Sequence, residues 1–132
     1  MKQVVSLLNE AGVFYLATVE NRQPRVRPFG FVMEYDGRIY FTTGNKKNVY
    51  KQLQKNPKIE ISAMLKNDRW IRVNGEAVFD GLADAKKKAF EIYPDFRKLY
   101  QSPDNPAFEV FYLKEPTAVI YDSPGEEPKK IL

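Results

Sequence analysis

The side chains best suited to hold an anion are Arg25 and Arg27, and further along Lys46 and Lys47. In Pro24-Arg25-Val26-Arg27-Pro28 the two arginines stand two residues apart, so on an extended strand both guanidiniums share one face. They repel each other unless an anion, an acidic partner or solvent lies between them, and the flanking prolines stiffen both ends of the segment. A solvated edge strand is the competing reading. In Thr42-Thr43-Gly44-Asn45-Lys46-Lys47-Asn48 a strand ends in two hydroxyls, and a helix begins with two lysines at its start. Cations are unfavourable there, because the helix dipole prefers negative charge at that end. An anion held by the free N–H groups would reverse the penalty. The spacing is not that of a P-loop, and an ordinary helix start with solvated lysines stays open.

A third constellation is Trp70-Ile71-Arg72-Val73-Asn74-Gly75-Glu76-Ala77. Trp70, Arg72, Asn74 and Glu76 alternate onto the strand face opposite the apolar one. A face that carries the only tryptophan beside an arginine suits a subunit interface or one wall of an aromatic ligand site. Cross-strand packing with a salt bridge is the alternative.

What the chain lacks narrows the chemistry. Its 132 residues include no cysteine and no histidine, which removes disulfides, a thiolate nucleophile, the commonest general base and the commonest zinc ligand. No metal site is expected. An enzyme built from these residues would draw its hard chemistry from a cofactor. The longest apolar runs are four or five residues, as in Val13–Ala17, so no membrane-spanning helix is expected, and the cytoplasm is the expected compartment. The net charge is +4, but the segment Glu20–Lys58 carries nine basic and three acidic residues, hence +6. That local excess favours a phosphate-bearing partner.

The elements that must position these groups follow from periodicity. Val4, Leu7, Leu8 and Ala11 predict a helix over Lys2–Ala11, stopped by Gly12. Strands are predicted over Val13–Glu20, Pro24–Tyr35 with breaks at Pro28 and Gly30, and Arg38–Thr42. The last two are joined by the hairpin turn Asp36-Gly37. Thr43-Gly44-Asn45 breaks the pattern before a short helix marked by Val49, Tyr50 and Leu53. Strands follow over Lys58–Lys66 and Arg69–Asp80, then a helix over Ala83–Tyr93, then strands Phe108–Leu113 and Thr117–Tyr121. The expected architecture is mainly β (α+β): a single domain over residues 1–121, an antiparallel barrel with peripheral helices, and a tail over 122–132 that is free or docks elsewhere.

Three segments in this order, PRVRP at 24–28, TTG followed by KNV and NP at 42–57, and WIRVNGEA at 70–77, resemble one family. The chain is similar to the FMN-binding split-barrel proteins related to pyridoxamine 5′-phosphate oxidase, in the style of the short bacterial general-stress flavoproteins and NimA/NimC-type proteins. The resemblance runs from about Val4 to Tyr121. It implies a six-stranded antiparallel split β-barrel that forms a homodimer, with FMN between the subunits. By that resemblance Arg25, Val26, Arg27, Pro28 and Phe29 run along the flavin ring, and Thr42 and Thr43 meet the ring or ribityl chain. Lys46, Lys47 and Asn48 hold the phosphate, and Trp70 and Arg72 reach the flavin from the other subunit.

The chain ends SPGEEPKKIL, without the arginine-containing C-terminal motif of true pyridoxamine-phosphate oxidases, so that activity is not expected. Haem is disfavoured by the missing histidine. The function expected is an FMN oxidoreductase that passes electrons from a nicotinamide or other reductant to a small acceptor. Arg27 is the basic group expected to tune the flavin. A flavin-holding sensor without turnover is the alternative. A nucleic-acid-binding barrel with Tyr35, Tyr40, Phe41 and Trp70 as stacking platforms is a third, disfavoured by the absence of an RNP-like signature.

Overall fold

The computed structural model describes residues 1–132 apart from Ser123. In chain order the elements are α1 (Lys2–Ala11), β1 (Phe14–Glu20), β2 (Gln23–Phe29), β3 (Met33–Tyr35), β4 (Arg38–Gly44), α2 (Asn48–Lys55), β5 (Lys58–Met64), β6 (Trp70–Asp80), α3 (Ala83–Ile92), α4 (Phe96–Tyr100), β7 (Phe108–Tyr121) and β8 (Lys129–Lys130). The strands form one sheet in the order β2-β1-β5-β6-β7-β4-β3, with β8 on β7. Every pairing is antiparallel. The mainly β, α+β class is as expected, but the described residues form eight strands rather than six: β3 and β8 are short additions of three and two residues.

Alternation decides which side of each strand faces the core. Phe14 and Leu16 of β1, Ile59, Ile61 and Ala63 of β5, and Ile71, Val73 and Ala77 of β6 are buried at every second position. The sheet curls so that its distant strands meet. Phe29 of β2 lies 6.5 Å from Phe41 of β4 and 6.4 Å from Phe111 of β7, ring centre to ring centre. Val4, Val5 and Leu8 of α1 fill the same core, and Gly12 ends that helix at φ +80° with its N–H on the Leu8 carbonyl. A second, smaller core under α3 and α4 gathers Tyr40, Ala85, Ala89, Phe90, Phe96, Phe108 and Val110.

Three expectations need correction. The extended run over Pro24–Tyr35 is two strands, because β2 loses its ladder partner beyond Phe29, which pairs with Phe14 at the start of β1. β4 does not stop at Thr42. Thr43 and Gly44 continue it because β7 offers Glu109 and Phe108 as partners. The two strands expected over Phe108–Leu113 and Thr117–Tyr121 are one 14-residue strand. Lys114-Glu115-Pro116 is a bulge opposite Gly75, where an added Cβ would come within 3.2 Å of the Leu113 side chain. Residues 129–132 of the expected tail dock on the sheet, an outcome that the sequence leaves open. Lys129–Lys130 pair with β7, the Ala118 N–H donates to the Leu132 carbonyl at 3.0 Å, and Ile131 and Leu132 pack on the main core.

Candidate functional site

Strand β2 sits at the edge of the sheet, hydrogen-bonded to β1, and α2 packs against β1 and β4. Two adjoining cavities open where β2, β4 and the start of α2 converge. One, of about 360 Å³, is lined by Arg27, Pro28, Phe29, Thr42, Thr43 and Lys47, with Gly30, Phe31, Val49, Tyr93 and Phe96 completing the wall. The other, of about 450 Å³, is lined by Glu20, Arg25, Val26, Arg27, Lys47, Asn48, Val49 and Gln52. Arg27, Lys47 and Val49 belong to both. Nine of the twelve site residues expected from sequence therefore converge on one place: Arg25, Val26, Arg27, Pro28, Phe29, Thr42, Thr43, Lys47 and Asn48.

The other three lie elsewhere. Lys46 is exposed and lines neither cavity, which leaves Lys47 as the lysine at the junction. Trp70 and Arg72 lie on the outward side of β6. Trp70 stacks on Tyr121 with ring centres 4.1 Å apart, and Arg72 pairs with Glu60 at 3.1 Å. Within one protomer they take no part in the cavities.

The expected repulsion between Arg25 and Arg27 is resolved without an intervening anion. Arg25 pairs with Glu20 at 3.1 Å. Arg27 turns inward: Nη1 donates to the Leu16 carbonyl at 3.1 Å and to Thr18 Oγ1 at 2.8 Å, and Nη2 donates to Gln52 Oε1. None of these acceptors is charged. Burial pushes the Arg27 pKa below that of a free guanidinium, and Glu20 acts the other way. Arg27 thus stays cationic at neutral pH with its charge uncancelled by direct contact.

The start of α2 is uncapped. Lys47 occupies the N-cap position in an extended conformation with no side-chain cap, and the first turn holds no acidic residue. Its free N–H groups, together with Lys47 and Asn48, make an electropositive corner in the second cavity. Thr43, whose Oγ1 is buried and has no hydrogen-bond partner, is among the residues that line the first cavity. A buried hydroxyl without a partner costs about 1–3 kcal/mol, which a ligand group reaching it would recover.

Sequence reasoning missed Thr18, Gln52, Phe31, Tyr93 and Phe96. Gln52 did leave a signal: a polar residue between Val49 and Leu53 on the buried stripe of α2. Two of the four proposed nucleic-acid stacking platforms, Tyr40 and Phe41, are 1% and 0% exposed and cannot stack on bases. Among the described residues no helix is long and apolar enough to cross a membrane.

Residues 1–119 match the family model described as pyridoxamine 5′-phosphate oxidase. No curated protein matches the sequence. Among solved structures, a NimC/NimA family protein from Clostridium acetobutylicum is 43% identical, with a TM-score of 0.91 over 99% of this chain and 92% of its own. General Stress Protein 26 from Bacillus anthracis is 18% identical, with a TM-score of 0.76 over 98% of this chain and 97% of its own. A heme binding protein from Mycobacterium smegmatis shares the fold at 16% identity, with a TM-score of 0.70 over 94% of this chain and 57% of its own.

Proposed function

The chain belongs to the pyridoxamine 5′-phosphate oxidase family, and we propose that within it the protein is an FMN flavoprotein that passes electrons from a nicotinamide or other reductant to a small acceptor. The observation that carries this reading is a cavity lined by Arg27, Lys47, Thr42 and Thr43, the last with a buried hydroxyl that has no partner of its own. A flavin mononucleotide asks for both features: hydrogen bonds around a flat polar ring system, and a cationic, amide-rich corner for a dianionic phosphate. The fold by itself does not choose the cofactor, since a neighbour of the same fold is described as binding heme. This chain offers no histidine to a haem iron, whereas its donor set suits a flavin.

Each residue has a separable task. Asn48, Lys47 and the N–H groups of α2 hold the phosphate, with Lys46 adding long-range attraction. Thr42 and Thr43 hydrogen-bond the ring or ribityl chain. Pro28 and Phe29 wall off one side and exclude water. The flavin, when bound, supplies hydride and single-electron chemistry, which is why a chain without histidine or cysteine suffices. Arg27 places an uncancelled positive charge beside it, which favours the more negative, reduced form.

The protein also acts, in this proposal, as a homodimer that covers the outward face of β2, β1, β5 and β6. Val26, Tyr15 and Met64 are 66%, 51% and 64% exposed there, and Trp70 lies in register beside Met64. Val26 and Pro28 belong both to that face and to the cavity walls, so a second copy seated on it would border the cavities and could bring its Trp70 and Arg72 to them.

The deciding experiment loads the protein with FMN and mixes it anaerobically with NADH or NADPH, then with small acceptors. Bleaching of the flavin absorbance followed by its return with an acceptor is expected. Binding without any reduction would leave the sensor reading instead.

A further inference from the structure

Between the two cavities lies a polar cluster that the cofactor assignment leaves unexplained. Thr18 and Gln52 are 2% and 6% exposed, two of the few polar side chains in an otherwise apolar interior. Gln52 Oε1 accepts from Arg27 Nη2 and from the Thr18 hydroxyl, and Thr18 Oγ1 in turn accepts from Arg27 Nη1. Gln52 Nε2 donates to Glu20 Oε2 at 3.3 Å, and Glu20 pairs with Arg25. A buried amide that only served packing would be replaced at a gain by an apolar residue, because each of its polar atoms must find a partner. Here the amide oxygen of Gln52 and the Thr18 hydroxyl both accept from one guanidinium, while the amide nitrogen is held by Glu20.

We infer that Gln52, with Thr18, is a positioning residue: it fixes the Arg27 guanidinium at the junction of the two cavities and ties it to the helix whose N-terminus forms the anion corner. The geometry has two consequences. Arg27 is held by neutral acceptors, so its direction is set while its charge is not cancelled. Gln52 sits one turn into α2, which begins at Asn48, so the piece of chain that grips an anion at one end also aims Arg27 from its interior. The amide of Gln52 further separates Glu20 from Arg27. The carboxylate meets the amide nitrogen and the guanidinium meets the amide oxygen, which keeps Glu20 from closing a direct ion pair.

The test has two arms. The first needs no cofactor: side-chain ¹⁵N NMR of the FMN-free protein, with the Arg27 guanidinium signals assigned through Arg27→Lys. In the wild type the Arg27 Nη protons should exchange slowly with water. Gln52→Leu should abolish that protection, and Thr18→Val should reduce it; Thr18→Val serves alone should Gln52→Leu fail to fold. Undiminished protection in the folded variants overturns the inference. The second arm rests on the FMN reading and is a double-mutant cycle on the midpoint potential of bound flavin. Gln52→Leu should reproduce most of the drop caused by Arg27→Met, and should add almost nothing in the Arg27→Met background. Equal drops in both backgrounds would mean that Gln52 acts by general loosening and not through Arg27. Failure of wild-type protein to take up FMN counts against the cofactor reading, while the NMR arm still decides the role of Gln52.

Discussion

Arg27 and Arg72 are both arginines on strands, yet their surroundings treat the charge in opposite ways. Arg72 lies on the outward face, pairs with the Glu60 carboxylate at 3.1 Å, donates to the Tyr121 hydroxyl at 3.1 Å and lies 5.0 Å from the centre of the Trp70 ring. Its charge is matched where it stands, in a half-exposed setting where such pairs contribute about 0–1 kcal/mol. Arg27 is turned into the protein and held by a carbonyl, a hydroxyl and an amide, all neutral. A charge matched by a carboxylate makes structure. A charge oriented by neutral dipoles in a cavity wall keeps its field for whatever enters the cavity.

The contrast breaks or sharpens under substitution. Arg27→Met should have the largest effect. It removes charge-assisted hydrogen bonds of about 1.5–3 kcal/mol, so FMN affinity should fall roughly 10–100-fold by calorimetry, with a lower reduction potential in what still binds. An Arg72→Ala protein with a potential as low as that of Arg27→Met would erase the distinction between the two sites.

Next in size is the double variant Lys46→Ala/Lys47→Ala. FMN binding should weaken about tenfold and lose much of its salt dependence, while riboflavin, which has no phosphate, should bind as before. An equal loss for both ligands would move the phosphate away from the start of α2.

Thr43→Val should separate stability from binding in sign. The free protein should gain about 1 kcal/mol in urea unfolding, because an unsatisfied buried hydroxyl is removed, while flavin affinity drops several-fold. Smallest is Arg72→Ala, expected to change unfolding free energy by less than about 1 kcal/mol. Its larger consequence, weaker self-association in sedimentation, follows only if the outward face is the dimer contact.

Tyr40 supplies a pH marker remote from both arginines. Burial and the 2.8 Å hydrogen bond to Asp80 push its pKa up to about 12. The neutral phenol is favoured in the folded state, so its stabilisation is complete below about pH 10 and is lost as pH rises through 12. Burial also raises Tyr100, so ultraviolet difference titration should show late-ionising tyrosines, and Tyr40→Phe should remove the component near pH 12.

Much of this was legible in the residues, for identifiable reasons. Short-range chemistry was readable: Gly12 as a helix stop, Asp36-Gly37 as a hairpin, and the alternation of Ile59, Ile61, Ala63 and Leu65. The convergence of the Arg25–Phe29 strand with Thr42, Thr43, Lys47 and Asn48 was implied by the family resemblance those motifs carry, while the residues alone gave two separate anion candidates. Features set by long-range pairing were hidden. The extent of β4 depends on Glu109 and Phe108, and the continuity of β7 depends on Gly75 across the sheet. Nothing local to Arg25-Val26-Arg27 announces that one arginine turns to Glu20 and the other to Thr18 and Gln52, since those partners come from β1 and α2. Phe96–Tyr100 forms a helix too short for periodicity to register.

The measurement closest to the centre of the account is calorimetric titration of the purified, flavin-stripped protein with FMN and, separately, with riboflavin. Saturable binding of FMN, clearly tighter than that of riboflavin, is the predicted result. No heat of binding with FMN, or equal affinity for the two, would contradict the assignment of the Arg27–Thr43–Lys47 cavities to a phosphorylated flavin.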